Sequence, residues 1–182
     1  TSFVGALMNA AQLGLEPNTP LGQAYLIPFM NNRKGCMEAQ FQIGYKGLID
    51  LAHRSGEFQT IYAEAVHEND EFDYALGDDP HITHKPVLKN RGQVIAYYAV
   101  YKLVNGGQGL VVMSREDIEH HAKKYSKSYN SGPWKSDFDA MAKKTVIKQL
   151  LKYAPIKTEF ARNLSTDEAV TNASKSDDPT EG

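Results

Sequence analysis

The sequence contains a single cysteine, Cys36, and none of its apolar runs approaches the length of a membrane-spanning helix. One thiol cannot form an internal disulfide, and no second cysteine is present to build a thiolate metal site. The lack of a second cysteine excludes a secreted scaffold held together by disulfides, and the lack of a long apolar run excludes a helical membrane protein. The lone cysteine fits a protein that works in a reducing cytoplasm.

Motifs that carry common enzyme chemistry are also missing. No stretch of the form GxxxxGK[ST] can hold a nucleoside triphosphate, and neither HExxH nor GxSxG occurs. The six histidines, including His81 with His84 and the adjacent His120 and His121, match no zinc-binding spacing. We therefore expect a protein that is not an enzyme, with no catalytic residue and no metal site.

The net charge is small, and the charged residues are unevenly distributed along the chain. The formal net charge of -2 argues by itself against a nucleic-acid-binding protein. Residues 64–79, however, carry seven acids and neither lysine nor arginine, whereas eleven bases outnumber six acids between Arg115 and Arg162. The acidic segment could bind magnesium for nuclease chemistry, but its spacing fits no metal motif, and an exposed loop or a subunit contact is favoured.

Apolar spacing predicts an α+β fold: a hairpin-led, mostly antiparallel sheet with flanking helices and a long C-terminal basic helix. No alternating βαβ unit is present. We expect residues 1–164 to form one core, entered partway along a longer protein, and residues 165–182 to form a disordered acidic tail. The predicted elements are helices at 2–15, 45–55, 114–125 and 136–153, and strands at 24–30, 36–43, 58–67, 72–76, 93–104 and 108–113.

The predicted helix 136–153 carries lysines on more than one face. Lys144, Lys148 and Lys152 repeat at i, i+4 and i+8, a stripe that either follows a phosphate backbone or is an ordinary solvated row. Lys143 falls inside the apolar arc, where an unpaired charge is costly. Either Asp139, one turn earlier, pairs with it, or a phosphate does.

Upstream of this helix, basic and aromatic residues alternate in the mixture that single-strand binders use. The bases are Lys123, Lys124, Lys127 and Lys135, and the rings are Tyr125, Tyr129, Trp134 and Phe138. Tyr125 and Phe138 sit at helical core spacing, which favours packing. Tyr129 and Trp134, in a predicted loop, are the candidates for stacking on bases.

The predicted hairpin offers a second polar surface. Gln40 and Gln42 alternate with apolar residues on its second strand, so that one face of the strand shows amides. Tyr45 and Lys46 follow directly, and Arg33 lies in the basic turn. This amide face is available to a ligand.

Several strings resemble the RecT family of phage recombination proteins. They are LGLEPNTPLGQAYLIPF at Leu13–Phe29, QFQIGYKGLIDLAHRSG at Gln40–Gly56 and DAMAKKTVIKQLLKYAPI at Asp139–Ile156, linked by the weaker YAVYKLVNGG, VMSREDIE and GPWKSDF. The resemblance runs in the same order from Thr1 to about Asp167. It implies a protein similar in action to the phage lambda beta protein, which pairs complementary strands without ATP.

The same resemblance implies the partners: single-stranded DNA, the annealed duplex intermediate, further copies of the chain in a ring or helical filament, and an exonuclease that exposes the strand. No cofactor is required, and magnesium would only aid DNA pairing. We expect the strand to lie in a groove between the amide face and the lysine helix, held by its phosphates. The predicted DNA-binding residues are Arg33, Gln40, Gln42, Tyr45, Lys46, Lys123, Lys124, Lys127, Trp134, Lys135, Lys143, Lys144, Lys148 and Lys152.

Two other functions remain open at this point. A metal-dependent nuclease would act through the acidic segment and would cleave labelled single strands in the presence of magnesium. An acidic adaptor without DNA contact would give no mobility shift.

Overall fold

The computed structural model describes residues 2–126, 129–130 and 132–154. Within them the contacts divide the chain into two compact units, residues 2–55 and 56–154. The sequence patterns give no sign of this division. The predicted acidic tail at residues 165–182 lies outside the described residues.

The first unit consists of a helix, a hairpin and a second helix. They are α1 (Ser2–Leu13), β1 (Ala24–Asn31), β2 (Cys36–Ile43) and α2 (Tyr45–Arg54). The two strands pair antiparallel in an unbroken register from Ala24 opposite Ile43 to Asn31 opposite Cys36. One face of the hairpin buries Phe41 and Ile43, and α1 packs on the hairpin through its small residues Ala6 and Ala10.

The second unit is built on an antiparallel sheet in the order β3-β6-β7, with a separate two-stranded hairpin β4-β5. Two longer helices and one short helix follow the strands. The bounds are β3 (Phe58–His67), β4 (Glu71–Ala75), β5 (His81–Lys85), β6 (Val94–Leu103), β7 (Gln108–Ser114), α3 (Arg115–Tyr125), α4 (Pro133–Ser136) and α5 (Phe138–Leu151).

Local capping signals fix where the last helices begin. Ser114 accepts a hydrogen bond from the Asp117 backbone N–H at 3.0 Å while the Asp117 carboxylate accepts from the Ser114 N–H, and this capping box starts α3 where the sequence predicts a helix. Helix α5 is capped by Asp137, whose carboxylate accepts from the Ala140 N–H at 3.1 Å. It therefore begins two residues later than predicted.

The α+β class is confirmed, but several finer expectations are wrong. The described residues contain three antiparallel sheets rather than one sheet led by the first hairpin. The sequence patterns also missed β5, a short strand with two histidines, and the four-residue helix α4. The long C-terminal basic helix is not confirmed, because α5 ends at Leu151 and is buried over most of its surface.

Burial of α5 follows from its sequence. Ala142, Val146, Ile147, Leu150 and Leu151 lie on more than one side of the helix and are each at most 2% exposed. The helix packs on all three strands of the β3-β6-β7 sheet and on α4. In the described part of the chain, no helix is long and apolar enough to cross a bilayer.

Candidate nucleic-acid interface

The lysines of α5 do not form the single exposed stripe that the sequence predicts. Lys144 is buried with 9% of its surface exposed, Lys148 is half-buried, and Lys152 is exposed just beyond the end of the helix. The prediction fails because α5 is packed over most of its circumference, so positions that a lone helix would expose face other parts of the protein.

Lys143, the anomalous position, reaches a carboxylate far away in the sequence. Its ammonium lies 3.4 Å from a carboxylate oxygen of Glu64 on β3, and its side chain is only 21% exposed. Asp139, the local partner that the sequence suggested, accepts a hydrogen bond from the hydroxyl of the buried Tyr97. Burial, and after it this hydrogen bond, raises the pKa of Tyr97 above its ordinary value.

A cluster of bases and rings lies where α3 ends and α4 begins. We call it the α3–α4 cluster and define it as Lys123, Lys124, Tyr125, Tyr129 and Lys135. The Lys123 ammonium lies 5.7 Å from the centre of the Tyr129 ring, and the Lys124 ammonium 5.3 Å from the centre of the Tyr125 ring. All three lysines are exposed. The cluster therefore presents positive charge beside aromatic faces.

The structure exchanges the expected roles of two rings. Trp134, predicted to stack on bases from a loop, is 7% exposed, belongs to α4 and packs edge-on against Phe138 with 5.4 Å between ring centres. Tyr125, predicted to pack, is 42% exposed. Phe138 packs as expected, with the Arg115 guanidinium 4.6 Å from its centre. The remaining basic candidate, Lys127, lies outside the described residues.

The amide face of the hairpin is present in the first unit. We call it the hairpin surface and define it as Gln40, Gln42, Tyr45 and Lys46. The first three are half-buried, and Lys46 is exposed on the first turn of α2. A side chain at Gly47 would collide with the Gln23 carbonyl oxygen, so glycine is required for the turn after Leu21 to pack against this end of α2.

The basic tip of the same hairpin is partly neutralised. Arg33 is exposed, but the Lys34 ammonium contacts the Glu38 carboxylate at 2.7 Å, and the Asn31 side-chain amide donates to the same carboxylate at 2.9 Å. These two hydrogen bonds lower the pKa of Glu38. The hairpin surface and tip belong to residues 2–55, and the α3–α4 cluster belongs to residues 56–154. The groove that would join them stays a prediction.

The acidic segment, expected to be an exposed loop or a subunit contact, runs through the end of β3, the turn that follows it and all of β4, and only its last acids, Asp78 and Asp79, lie in the exposed stretch between β4 and β5. The Asp70 side chain is fully buried and accepts hydrogen bonds from Arg91 at 2.6 and 3.1 Å and from the backbone N–H groups of His67 and Val87. The His84 ring lies 3.1 Å from the same carboxylate. The Arg91 hydrogen bonds above all hold the pKa of Asp70 well below its usual range.

These contacts give the acidic segment a structural role. His84 also lies 3.1 Å from the Tyr98 hydroxyl, so the network ties the β4-β5 hairpin to strand β6. His81 contacts the Asp79 carbonyl oxygen at 3.0 Å. Among the residues that the structure describes, no three His, Cys, Asp or Glu side chains converge on a point where they could hold a metal ion.

Sequence reasoning missed both long-range partnerships. Glu64 and Lys143 are 79 residues apart, and Asp70 and Arg91 are 21 apart on either side of an unrecognised strand. No spacing rule connects such pairs. One sequence feature could point to Arg91 as a partner of these acids: between Glu64 and Arg91 the only other lysines or arginines are Lys85 and Lys89.

Comparison with known proteins agrees with the resemblance. The chain is 44% identical over 169 residues to Protein RecT of Escherichia coli strain K12, covering 92% of this chain and 62% of that protein. It is 36% identical over 151 residues to the uncharacterized protein YqaK of Bacillus subtilis strain 168, covering 82% of this chain and 50% of that one. The chain thus spans half to three fifths of these relatives. A family model described as the RecT family matches residues 1–181, so the chain belongs to the RecT family.

Proposed function

We propose that this chain binds single-stranded DNA and pairs complementary strands without ATP, as part of homologous recombination and repair. The observation that carries the proposal is the match of the RecT family model along residues 1–181. The absence of a GxxxxGK[ST] stretch from the sequence supports independence from ATP. No residue of the chain is assigned a catalytic role in this proposal.

Annealing sets a clear physical requirement on the interface. The protein must hold each strand without reading its sequence, because Watson–Crick pairing with the second strand does the reading. Contacts to phosphates satisfy this requirement, since phosphates are the same at every nucleotide and leave the base edges free. A binding surface made of lysines is therefore suited to this task.

The α3–α4 cluster is the surface in the second unit that best fits single-stranded DNA. Its three exposed lysines would contact phosphates, and the exposed ring of Tyr125 offers an apolar face on which a base can stack. In the first unit, Lys46 and Arg33 would contact phosphates, and Gln40, Gln42 and Tyr45 would donate hydrogen bonds beside them. Lys148, half-buried on α5, and Lys152, exposed just beyond the end of α5, would add positive charge to the second unit.

The partners complete the proposal. Further copies of the chain would assemble in a ring or a helical filament along the strand, and an exonuclease would expose that strand. Magnesium would act only as a counterion that helps two phosphate backbones to approach each other. These partners rest on the RecT family membership.

The binding surface is tested by fluorescence anisotropy of a labelled single-stranded oligonucleotide across a salt series. Lys123→Ala with Lys124→Ala should weaken binding and make the log–log salt dependence shallower by about 0.7 for each phosphate that the variant no longer neutralises. The matched control is Lys89→Ala with Lys102→Ala, which removes the same charge from two other exposed positions of the unit. Equal effects of the two pairs would place the DNA-binding surface elsewhere, and no binding by the unmodified chain would contradict the proposed function.

A further inference from the structure

Lys143 is an unusual cation because its stem and its charge occupy different environments. It lies on α5 between the buried residues Ala142 and Lys144, in a helix that packs on the β3-β6-β7 sheet. Its ammonium nevertheless reaches the surface, where it lies 3.4 Å from the carboxylate of Glu64, whose side chain is 52% exposed. The packing of α5 thus fixes the position of this charge, and the charge meets its partner at the edge of solvent.

A second cation also feels the charge of Glu64. The pKa of Arg91 is raised first by its hydrogen bonds to Asp70, whose side chain is fully buried, and in smaller part by the negative charge of Glu64. Glu64 therefore acts on two cations, Lys143 and Arg91. Removing the charge of Glu64 would make the surroundings of both cations more positive by one unit charge.

The Glu64 carboxylate is held only weakly in this arrangement. An ion pair in which one partner is half exposed contributes little net free energy, because water competes for both charges and salt screens them. A DNA phosphate offers Lys143 the same kind of anionic oxygen and, unlike Glu64, also releases counterions when it binds a cation. Exchange of one anion for the other therefore requires little change in the protein.

We infer that Glu64 is a built-in competitor of DNA: it holds the Lys143 ammonium while no strand is bound and yields it to a phosphate when a strand arrives. This inference rests on the proposed function. Glu64 is a positioning residue, because it acts through Lys143 and keeps this charge paired in the free protein. Glu64 also lowers the affinity of the chain for DNA, which suits a protein that must release the strands once they have paired.

The test compares Glu64→Gln with the unmodified chain in binding to a labelled single-stranded oligonucleotide across a salt series. Glu64→Gln should tighten binding by up to about fivefold at low salt. Asp78→Asn is the matched control, because it removes one exposed negative charge from the same unit at a distance from the pair in sequence and should change binding much less. Thermal unfolding of both variants is measured alongside, to check that they fold.

A second variant separates a specific exchange from a general charge effect. In a Lys143→Ala background, Glu64→Gln should change affinity no more than Asp78→Asn does, because the competed cation is gone. A gain from Glu64→Gln that persists without Lys143, a gain equal to that of Asp78→Asn, or a loss of affinity would each overturn the inference. If the unmodified chain binds no single-stranded DNA, the proposed function itself is wrong, and this outcome differs from any of the three results that overturn the inference about Glu64 alone.

Discussion

Replacing Asp70 by asparagine tests the most constrained carboxylate of the second unit. Asparagine has the same shape, but its side chain keeps one acceptor oxygen and gains an NH₂ group that cannot accept. One oxygen of Asp70 accepts from Arg91 and Val87, and the other accepts from Arg91 and His67 and contacts His84. In either orientation of the amide, at least two donors lose their acceptor and Arg91 loses its counter-charge.

The expected cost follows from these contacts. Breaking a buried ion pair by removing one partner destabilises a protein by about 3–5 kcal/mol. The Arg91 side chain is 35% exposed and can be partly rehydrated, so we expect the lower end, about 3 kcal/mol. For a chain of this length, that loss lowers the melting temperature by about 6–12 °C.

The assay is thermal unfolding followed by circular dichroism, with the free energy of unfolding checked in urea. Asp73→Asn is the matched control, because it makes the same chemical change at an exposed position of the same β4-β5 hairpin and should stay within about 0.5 kcal/mol of the unmodified chain. If Asp70→Asn melts as the control does, the carboxylate does not hold the hairpin in place and the account of the acidic segment is wrong.

Two further predictions concern the same unit. Arg91 keeps the pKa of Asp70 below the ordinary value of about 3.9, so the stabilising contribution of the Asp70 carboxylate is complete above that value and is lost as the pH falls through the folded pKa. The difference in the free energy of unfolding between the unmodified chain and Asp70→Asn should therefore stay constant from pH 7 to about pH 5 and become smaller below pH 5. Urea unfolding across this pH range measures it. Trp134→Ala should lower the free energy of unfolding by about 3–5 kcal/mol because the ring is buried, whereas Trp134→Phe should leave single-strand affinity within about twofold; a large loss of affinity in a stable Trp134→Phe would show that the ring contacts DNA.

Local signals were sufficient to predict most elements of this fold. Alternation on the second strand of the first hairpin, together with the turn at residues 31–35, defined β1 and β2 to within one residue at each end. The predicted helix at 114–125 matches α3 closely, because the Ser114 capping box that starts α3 is contained within four residues. Element type and bounds depend on neighbours in sequence, so a single sequence reveals them.

Pairing and burial were not predictable in the same way. Strand β3 pairs with β6, about 30 residues later, and the β4-β5 hairpin lies between them as its own sheet, an arrangement that no local pattern encodes. The helical wheel placed Lys144 on an exposed stripe because it treats α5 as a lone helix with one buried side. Packing on three strands and on α4 makes that assumption false.

The candidate site shows the same division. The sequence identified the residue types of the α3–α4 cluster, since bases and rings alternate visibly between residues 123 and 138. It could not decide which ring is buried, and Trp134 and Tyr125 proved to be the reverse of the expectation. The partner of Lys143 depended on the tertiary fold, because a surface contact between α5 and β3 joins residues 79 apart.

Strand annealing without ATP is tested most directly by mixing two complementary fluorescent oligonucleotides with the chain, one after the other, in the absence of any nucleotide, and recording their pairing by energy transfer. The account predicts that pairing is faster than that of the strands alone and that Lys123→Ala with Lys124→Ala slows it more than Lys89→Ala with Lys102→Ala. Pairing at the rate of the free strands, under conditions in which the chain is folded and bound to the first strand, would contradict the account.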